Sequence, residues 1–196
     1  VCIALWSSGQ RSEPLKLGTS VRILAGLLVF KMIVKENKIT DKVIEKFKNE
    51  IFIYPTDTIY GIGCDATKKK LVEKIRKIKN RDNKPFSVIA PSVQWILNNF
   101  KVDKKLIKKY LPGPYTLLLE KKDRFFLSYI SNNEFIGVRI PQCNFTKILQ
   151  GLNVPIVTTS VNLSGENFAN SVNEIDKRIF KIISIIVDGG KLSGKP

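Results

Sequence analysis

Four short polar stretches of this chain carry groups that could bind an anion or an amino acid. The first is Thr56-Asp57-Thr58, with Tyr60 and Gly61 just behind it. It follows an apolar run at 51–54 that is closed by Pro55. The second is Lys79-Asn80-Arg81, two cations two residues apart. Such a pair can straddle one set of phosphate oxygens, arginine as a fork and lysine as a point charge; it also suits two solvated surface cations. The third is Arg139, set among Ile136, Val138 and Ile140. A guanidinium in an apolar strand needs a partner or a cleft, because unpaired burial is costly. A bound carboxylate or phosphate would serve, and an outward-facing position would remove the need. The fourth is Thr158-Thr159-Ser160-Val161-Asn162-Leu163-Ser164-Gly165. Small hydroxyls and an amide beside a glycine suit a phosphate or nucleotide pocket, or an ordinary polar turn.

Composition narrows the chemistry. The chain has 196 residues and no histidine, so a Ser-His-Asp or Cys-His mechanism lacks its base. Its cysteines, Cys2, Cys64 and Cys143, are three in number and form no CxxC pair. A disulfide framework or a zinc site is therefore not expected, and reducing, cytoplasmic conditions are. The net charge of +16 favours polyanionic partners or many solvated lysines. Neither a Walker loop nor a GxGxxG is present. The apolar run at 23–30 is too short to span a membrane. Residues 1–31 differ in character, with four serines and one acid, Glu13. They are read as an extension of upstream, added or transit-peptide origin, with the natural chain beginning at Met32 and one domain following.

The elements that must position these groups alternate in type. Thr40 opens a helix through Val43, Ile44 and Phe47, and a strand follows at 51–54, ended by Pro55. Thr67 caps a helix with Leu71, Ile75 and Ile78 on one face. A strand at 86–90 ends at Pro91. Helices open at Ser92 and Asp103, and Leu111-Pro112-Gly113-Pro114 breaks the second. Strands are expected at 115–119, 135–140, 154–159 and 182–187. A turn falls at 121–124, a strand or covering loop at 125–130, and a short helix at 144–149. The capping-box spacing from Ser171 to Glu174 opens a last helix. This order predicts an α/β fold with a twisted mixed sheet flanked by helices.

Taken together the stretches resemble the YrdC-type threonylcarbamoyl-AMP synthases. Residues 51–63 are similar to that family's strand and P-T-x-T-x-Y-G segment. Lys79-Asn80-Arg81 with Lys84-Pro85 matches its K-x-R and following K-P. Pro112-Gly113-Pro114-Tyr115-Thr116 is similar to P-G-P-x-T, and Val138-Arg139-Ile140-Pro141 to V-R-x-P. Residues 159–165 match T-S-x-N-x-S-G, and Asp188-Gly189-Gly190 with Ser193-Gly194-Lys195-Pro196 looks like the start of the closing segment. The resemblance covers about residues 34–196 and implies a YrdC-like fold with an open basic cleft. Two departures stand out: no histidine lies in 86–90, and the closing segment stops at Pro196, so the domain at 32–196 is read as truncated at its C-terminal end.

The resemblance implies that L-threonine, bicarbonate and ATP become threonylcarbamoyl-AMP and pyrophosphate. That product feeds N6-threonylcarbamoyladenosine (t6A) at position 37 of tRNA through a downstream transfer machinery. It further implies Lys79 and Arg81 as catalytic and nucleotide-binding residues, with Ser160, Asn162, Ser164 and Gly165 at the nucleotide. Thr56, Thr58, Arg139 and Thr159 would bind threonine, and Mg2+ would arrive with ATP, without a dedicated protein metal site. Asp57 falls at a variable position of the motif and is left outside the site. Attack of a carbamate oxygen on a phosphate needs positioning and charge neutralisation more than a protein nucleophile. The alternative is a non-catalytic module that binds double-stranded RNA or tRNA, which the charge would also suit.

Overall fold

A computed structural model describes residues 21–24, 27–81 and 84–194, with side chains from Lys31 onward. Expectations for residues 1–20 and for Lys195-Pro196 lie outside these. Two short strands, β1 (Val21–Leu24) and β2 (Leu27–Phe30), pair antiparallel. The rest builds one mixed sheet. In chain order it uses β3 (Met32–Lys35), β4 (Phe52–Pro55), β5 (Tyr60–Gly63), β6 (Ser87–Ile89) and β7 (Phe100–Lys101). It continues with β8 (Leu117–Lys121), β9 (Phe135–Arg139), β10 (Ile156–Ser160) and β11 (Ile185–Asp188). Across the sheet the order is β3-β11-β4-β5-β10-β6-β9-β8-β7. The pairs β3/β11, β11/β4 and β6/β9 are parallel and the others antiparallel.

Side chains alternate across the sheet, as the two-residue strand period requires. Phe52, Tyr54, Ile89, Ile156, Ile185 and Val187 face one side. There they meet α1 (Asp41–Phe47) and α5 (Asn144–Gly151) through Val43, Phe47, Phe145 and Leu149. Ile53, Ile62, Val88, Ile136, Val138, Val157 and Ile186 face the other. That side is covered by α2 (Lys69–Ile78), α3 (Val93–Asn99), α4 (Lys104–Tyr110) and α6 (Lys177–Ile182). The twisted mixed α/β sheet flanked by helices is therefore as expected. Fully burying side chains of this size contributes roughly 1.5–3 kcal/mol each.

Local departures have local causes. Thr67 does not cap α2: its amide and hydroxyl both donate to Asp65 Oδ1, at 2.8 and 2.7 Å, and the helix begins at Lys69. The capping box expected at Ser171 does not form, and Ser171 opens no α-helix. Glu174 accepts from Ser171 Oγ and the Asn170 amide, both at 2.9 Å, around a 3-10 turn. The helix starts later, capped by Asp176 accepting from the Arg178 amide. The strand expected at 115–119 lies two residues on, because Tyr115 packs edge-on against Tyr110 and Leu117 is the first residue to pair, with Val138. Residues 125–130 are turns, and Phe126 closes over Trp95 and Phe100.

Candidate functional site

The site grows from a split in the sheet. β10 pairs with β6 as far as Thr158 opposite Ser87. Its last two residues, Thr159 and Ser160, continue beside Ile62 and Gly61 of β5. On the other side the chain before Ser87 turns away, and the Phe86 amide donates to Ile130 O at 3.1 Å. Two neighbouring strands thus diverge, a place where α/β sheets hold ligands. The gap is a cleft of about 270 Å3. Thr56, Thr58, Arg81, Arg139, Thr159 and Ser160 line it, six of the ten site residues expected from the sequence. Ser87, and Thr116 of the 112–116 segment, neither of them expected as a site residue, line it too.

One wall is the Thr56–Thr58 loop that joins β4 to β5. Thr56 Oγ1 donates to Ile59 O at 2.7 Å and accepts from the Thr58 and Ile59 amides at 3.1 and 3.3 Å. Its hydroxyl closes its own turn. Thr58 Oγ1 lies 3.1 Å from Thr56 Oγ1. The single Thr56 proton is already directed to Ile59, so Thr58 is the donor of that pair and keeps its lone pairs for the cleft. The closing segment braces this loop from behind. Tyr60 Oη donates to Gly190 O at 2.8 Å and accepts from the Gly189 amide at 2.9 Å, while burial pushes its pKa up to about 12. Gly194 lies so close that a Cβ there would stand 2.3 Å from Thr58 Cα.

The facing wall joins the end of α2 to the end of β10. Lys79 is 2 % exposed. Its Nζ donates to Ser160 O, Asn162 O and Asn162 Oδ1 at 2.5, 2.7 and 2.9 Å. Three acceptors match the three N–H bonds of an ammonium. Burial, and secondarily Arg81, lower its pKa to about 8, so the group is still cationic at neutral pH. Ser160 Oγ donates to Asn162 Oδ1, and Ser164 Oγ to Lys79 O at 3.0 Å. Lys79, Asn162 and Ser164 therefore build the wall behind Ser160, outside the cleft lining, and Gly165 sits in its outer turn at φ +87°. Asn80 takes φ +49°, a left-handed turn that asparagine tolerates, and so separates the directions of Lys79 and Arg81. Arg81 faces the cleft, its Nε buried without a hydrogen-bond partner. Arg76 holds the backbone of this loop, donating from Nη1 to Arg81 O at 3.3 Å and Lys84 O at 2.8 Å.

Arg139 ends β9 and reaches the first wall. Its Nη2 donates to Asp57 Oδ1 at 2.5 Å, with side-chain exposures of 13 % and 9 %. Asp57 Oδ2 also accepts from the Gln142 amide at 2.9 Å. Arg139 Nε is buried and unpartnered. The counter-charge that Arg139 needs is thus Asp57, which the sequence reading left out. The signal was available: Asp57 is the only acid in the four polar stretches. Among the described residues the cleft lining offers hydroxyls and guanidiniums and no carboxylate. An Mg2+ entering with a nucleotide would take its oxygens from phosphate and water.

Comparison with known proteins points the same way. The profile of the Sua5/YciO/YrdC family, described as "Telomere recombination", matches residues 46–196. A Methanocaldococcus jannaschii protein with the provisional name threonylcarbamoyl-AMP synthase is 39% identical over 160 residues, 76% of this chain and 75% of that one. The threonylcarbamoyl-AMP synthase of Bos taurus is 31% identical over 142 residues, 70% of this chain and 51% of its own length. The crystal structure of P. abyssi Sua5 complexed with L-threonine superposes with a TM-score of 0.69 at 26% identity, covering 82% of this chain and 50% of that one. The chain thus spans about half the length of two of these three relatives and three quarters of the other.

Proposed function

This chain belongs to the Sua5/YciO/YrdC family, and from that membership and the geometry of the cleft we propose that it is an L-threonylcarbamoyladenylate synthase, a nucleotidyltransferase. The reaction joins L-threonine, bicarbonate and ATP into threonylcarbamoyl-AMP with release of pyrophosphate, for t6A at position 37 of tRNA. The observation that carries the reading is the pairing of two unlike walls around one cleft. Arg81 and Ser160, backed by the Lys79 ammonium, suit phosphate oxygens. Thr58, with free lone pairs, suits an amine, and Arg139, whose side chain lines the cleft, suits a carboxylate.

The chemistry asks little more of the protein. The threonine amine adds to CO2 from bicarbonate, giving a carbamate. A carbamate oxygen then attacks the α-phosphorus, and the bond to the bridging oxygen of pyrophosphate breaks. Arg81 neutralises the phosphate oxygens and holds the two reactants in line, which is where positioned charge contributes most. Mg2+ bound to ATP would supply further charge neutralisation at the phosphates, beside the Arg81 and Ser160 side chains that face them. Relatives named as synthases favour this enzyme over a non-catalytic RNA-binding module. Action in the cytoplasm on a product passed to tRNA-modifying partners fits this reading, and among the described residues no helix is long and apolar enough to cross a membrane.

The test is pyrophosphate release from ATP in bicarbonate buffer with and without L-threonine. Release that requires both L-threonine and bicarbonate supports the synthase. No threonine-dependent release, together with RNA affinity that falls steeply with salt, would return the binding module.

A further inference from the structure

We propose that Asp57 is a positioning residue for amino-acid recognition, holding Arg139 at a fixed place relative to Thr58. The inference rests on the synthase reading for the identity of the amino acid. Its own basis is the geometry of one carboxylate that meets three parts of the fold.

Asp57 stands between the two threonines of the loop. The Thr56 hydroxyl closes that turn on three backbone groups, so the direction in which Asp57 leaves the loop is set. One of its oxygens takes Arg139 Nη2 at 2.5 Å, at the end of β9. The other takes the Gln142 amide at 2.9 Å, two residues before α5. The carboxylate therefore clips the β4–β5 loop to the end of β9 and to the start of α5. A charge-assisted bond of this length to a nearly enclosed guanidinium is among the stronger hydrogen bonds a protein makes.

Two consequences follow for the ligand. The first is geometric. Thr58 and Arg139 come from elements far apart in the chain, and Asp57 ties the loop of one to the side chain of the other. The acceptor for an amine and the donor for a carboxylate are thereby held at one separation. Without the clip, an arginine side chain regains rotamer freedom, which binding would have to remove again. The second is electrostatic. Nη2 and one unit of charge are already satisfied, so Arg139 offers its remaining donors without adding a net charge to that wall. A monocarboxylate suits such a site better than a phosphate, which separates the amino-acid end from the nucleotide end.

The experiment uses the full chain and steady-state pyrophosphate release with L-threonine and ATP varied in turn. Asp57→Asn keeps the shape and one acceptor but removes the charge. It is expected to raise the KM for L-threonine about 10-fold with the KM for ATP unchanged, and to lower the melting temperature, since the Arg139 guanidinium loses its counter-charge. In an Arg139→Ala background the same substitution should add no further change in threonine KM, because the residue it positions is gone. Asp57→Glu, which returns the charge, should recover part of the loss; it also carries the comparison if Asp57→Asn does not fold. An unchanged threonine KM in Asp57→Asn, an equal rise in the KM for ATP, or a full additional penalty in the Arg139→Ala background would each overturn the inference while leaving the synthase reading intact. A parent protein with no threonine-dependent release would instead remove the synthase reading, and this inference with it.

Discussion

Lys79 and Arg139 are both enclosed cations at the edge of the cleft, and the protein stabilises them in opposite ways. Lys79 is surrounded by two backbone carbonyls and an amide oxygen, all neutral. Arg139 is met by a carboxylate. Carbonyl dipoles solvate an ammonium but leave its charge in place, whereas a carboxylate cancels it. The wall with Lys79 and Arg81 therefore keeps a surplus of positive charge, and the wall with Arg139 is close to neutral. One cleft has an anion-attracting side and a side that recognises shape and hydrogen bonds. A substrate pair made of a triphosphate and a zwitterion would sort itself accordingly.

The contrast can be broken most forcefully at Arg81. Arg81→Ala removes the charge that faces the cleft, and threonine-dependent pyrophosphate release should fall by roughly 10²–10³-fold. A rate within a few-fold of the parent would mean that the phosphates lie elsewhere. Lys79→Met is expected to act on both function and fold, since it removes a donor from Ser160 O, Asn162 O and Asn162 Oδ1, of which the first keeps only the Asn162 amide and the last only the Ser160 hydroxyl. A stability loss of about 2–4 kcal/mol in urea unfolding is anticipated. A variant as stable as the parent would make the lysine dispensable to the wall. On the other side, Thr56→Val should cost about 1–2 kcal/mol through its lost turn bonds. Thr58→Val should melt near the parent and weaken L-threonine binding, as calorimetry would record. The reverse pattern would exchange the two roles.

The smallest signal is the most specific. The folded pKa of Lys79, about 8, lies below its ordinary 10.5. Between those values the unfolded chain holds more protons than the folded one, so unfolding free energy should rise with pH. The stability difference, parent minus Lys79→Met, is expected to climb from pH 8 towards 10.5 and to be flat below 8. Activity should move the other way as the ammonium is lost. A flat difference across the whole range would show that Lys79 titrates like a solvated lysine.

The parts of the site that the sequence disclosed are those whose reason is local. The strand before Pro55 and the strand before Ser160 announce themselves by apolar runs. β5 does not, because Gly61 and Gly63 are poor strand formers. They are glycines for a tertiary reason. A Cβ at Gly63 would fall 2.2 Å from Val157 O, and one at Gly61 would press on the Tyr54 ring at 3.2 Å. Lys79 and Arg81 were expected to act together, two residues apart. That one turns inward and the other into the cleft depends on the left-handed Asn80, which spacing alone does not reveal. Arg139 was recognised as needing a partner, but a carboxylate 82 residues away in the chain is found only by folding it.

The placement of β11 has a consequence for how the protein is made. The last of the described strands sits between β3 and β4, two of the earliest, and pairs with both in parallel. While the chain is being synthesised, β3 and β4 each wait with an unpaired edge until their shared neighbour, about 150 and 130 residues further on, emerges from the ribosome. Non-local parallel pairing of this kind forms slowly and leaves apolar edges exposed in the meantime. The residues after β11 also brace Thr58 and Tyr60. Pairing of β11 and bracing of the Thr56–Thr58 loop therefore depend on the same late stretch of chain, so this wall of the cleft cannot assemble before residues 185–194 have been made.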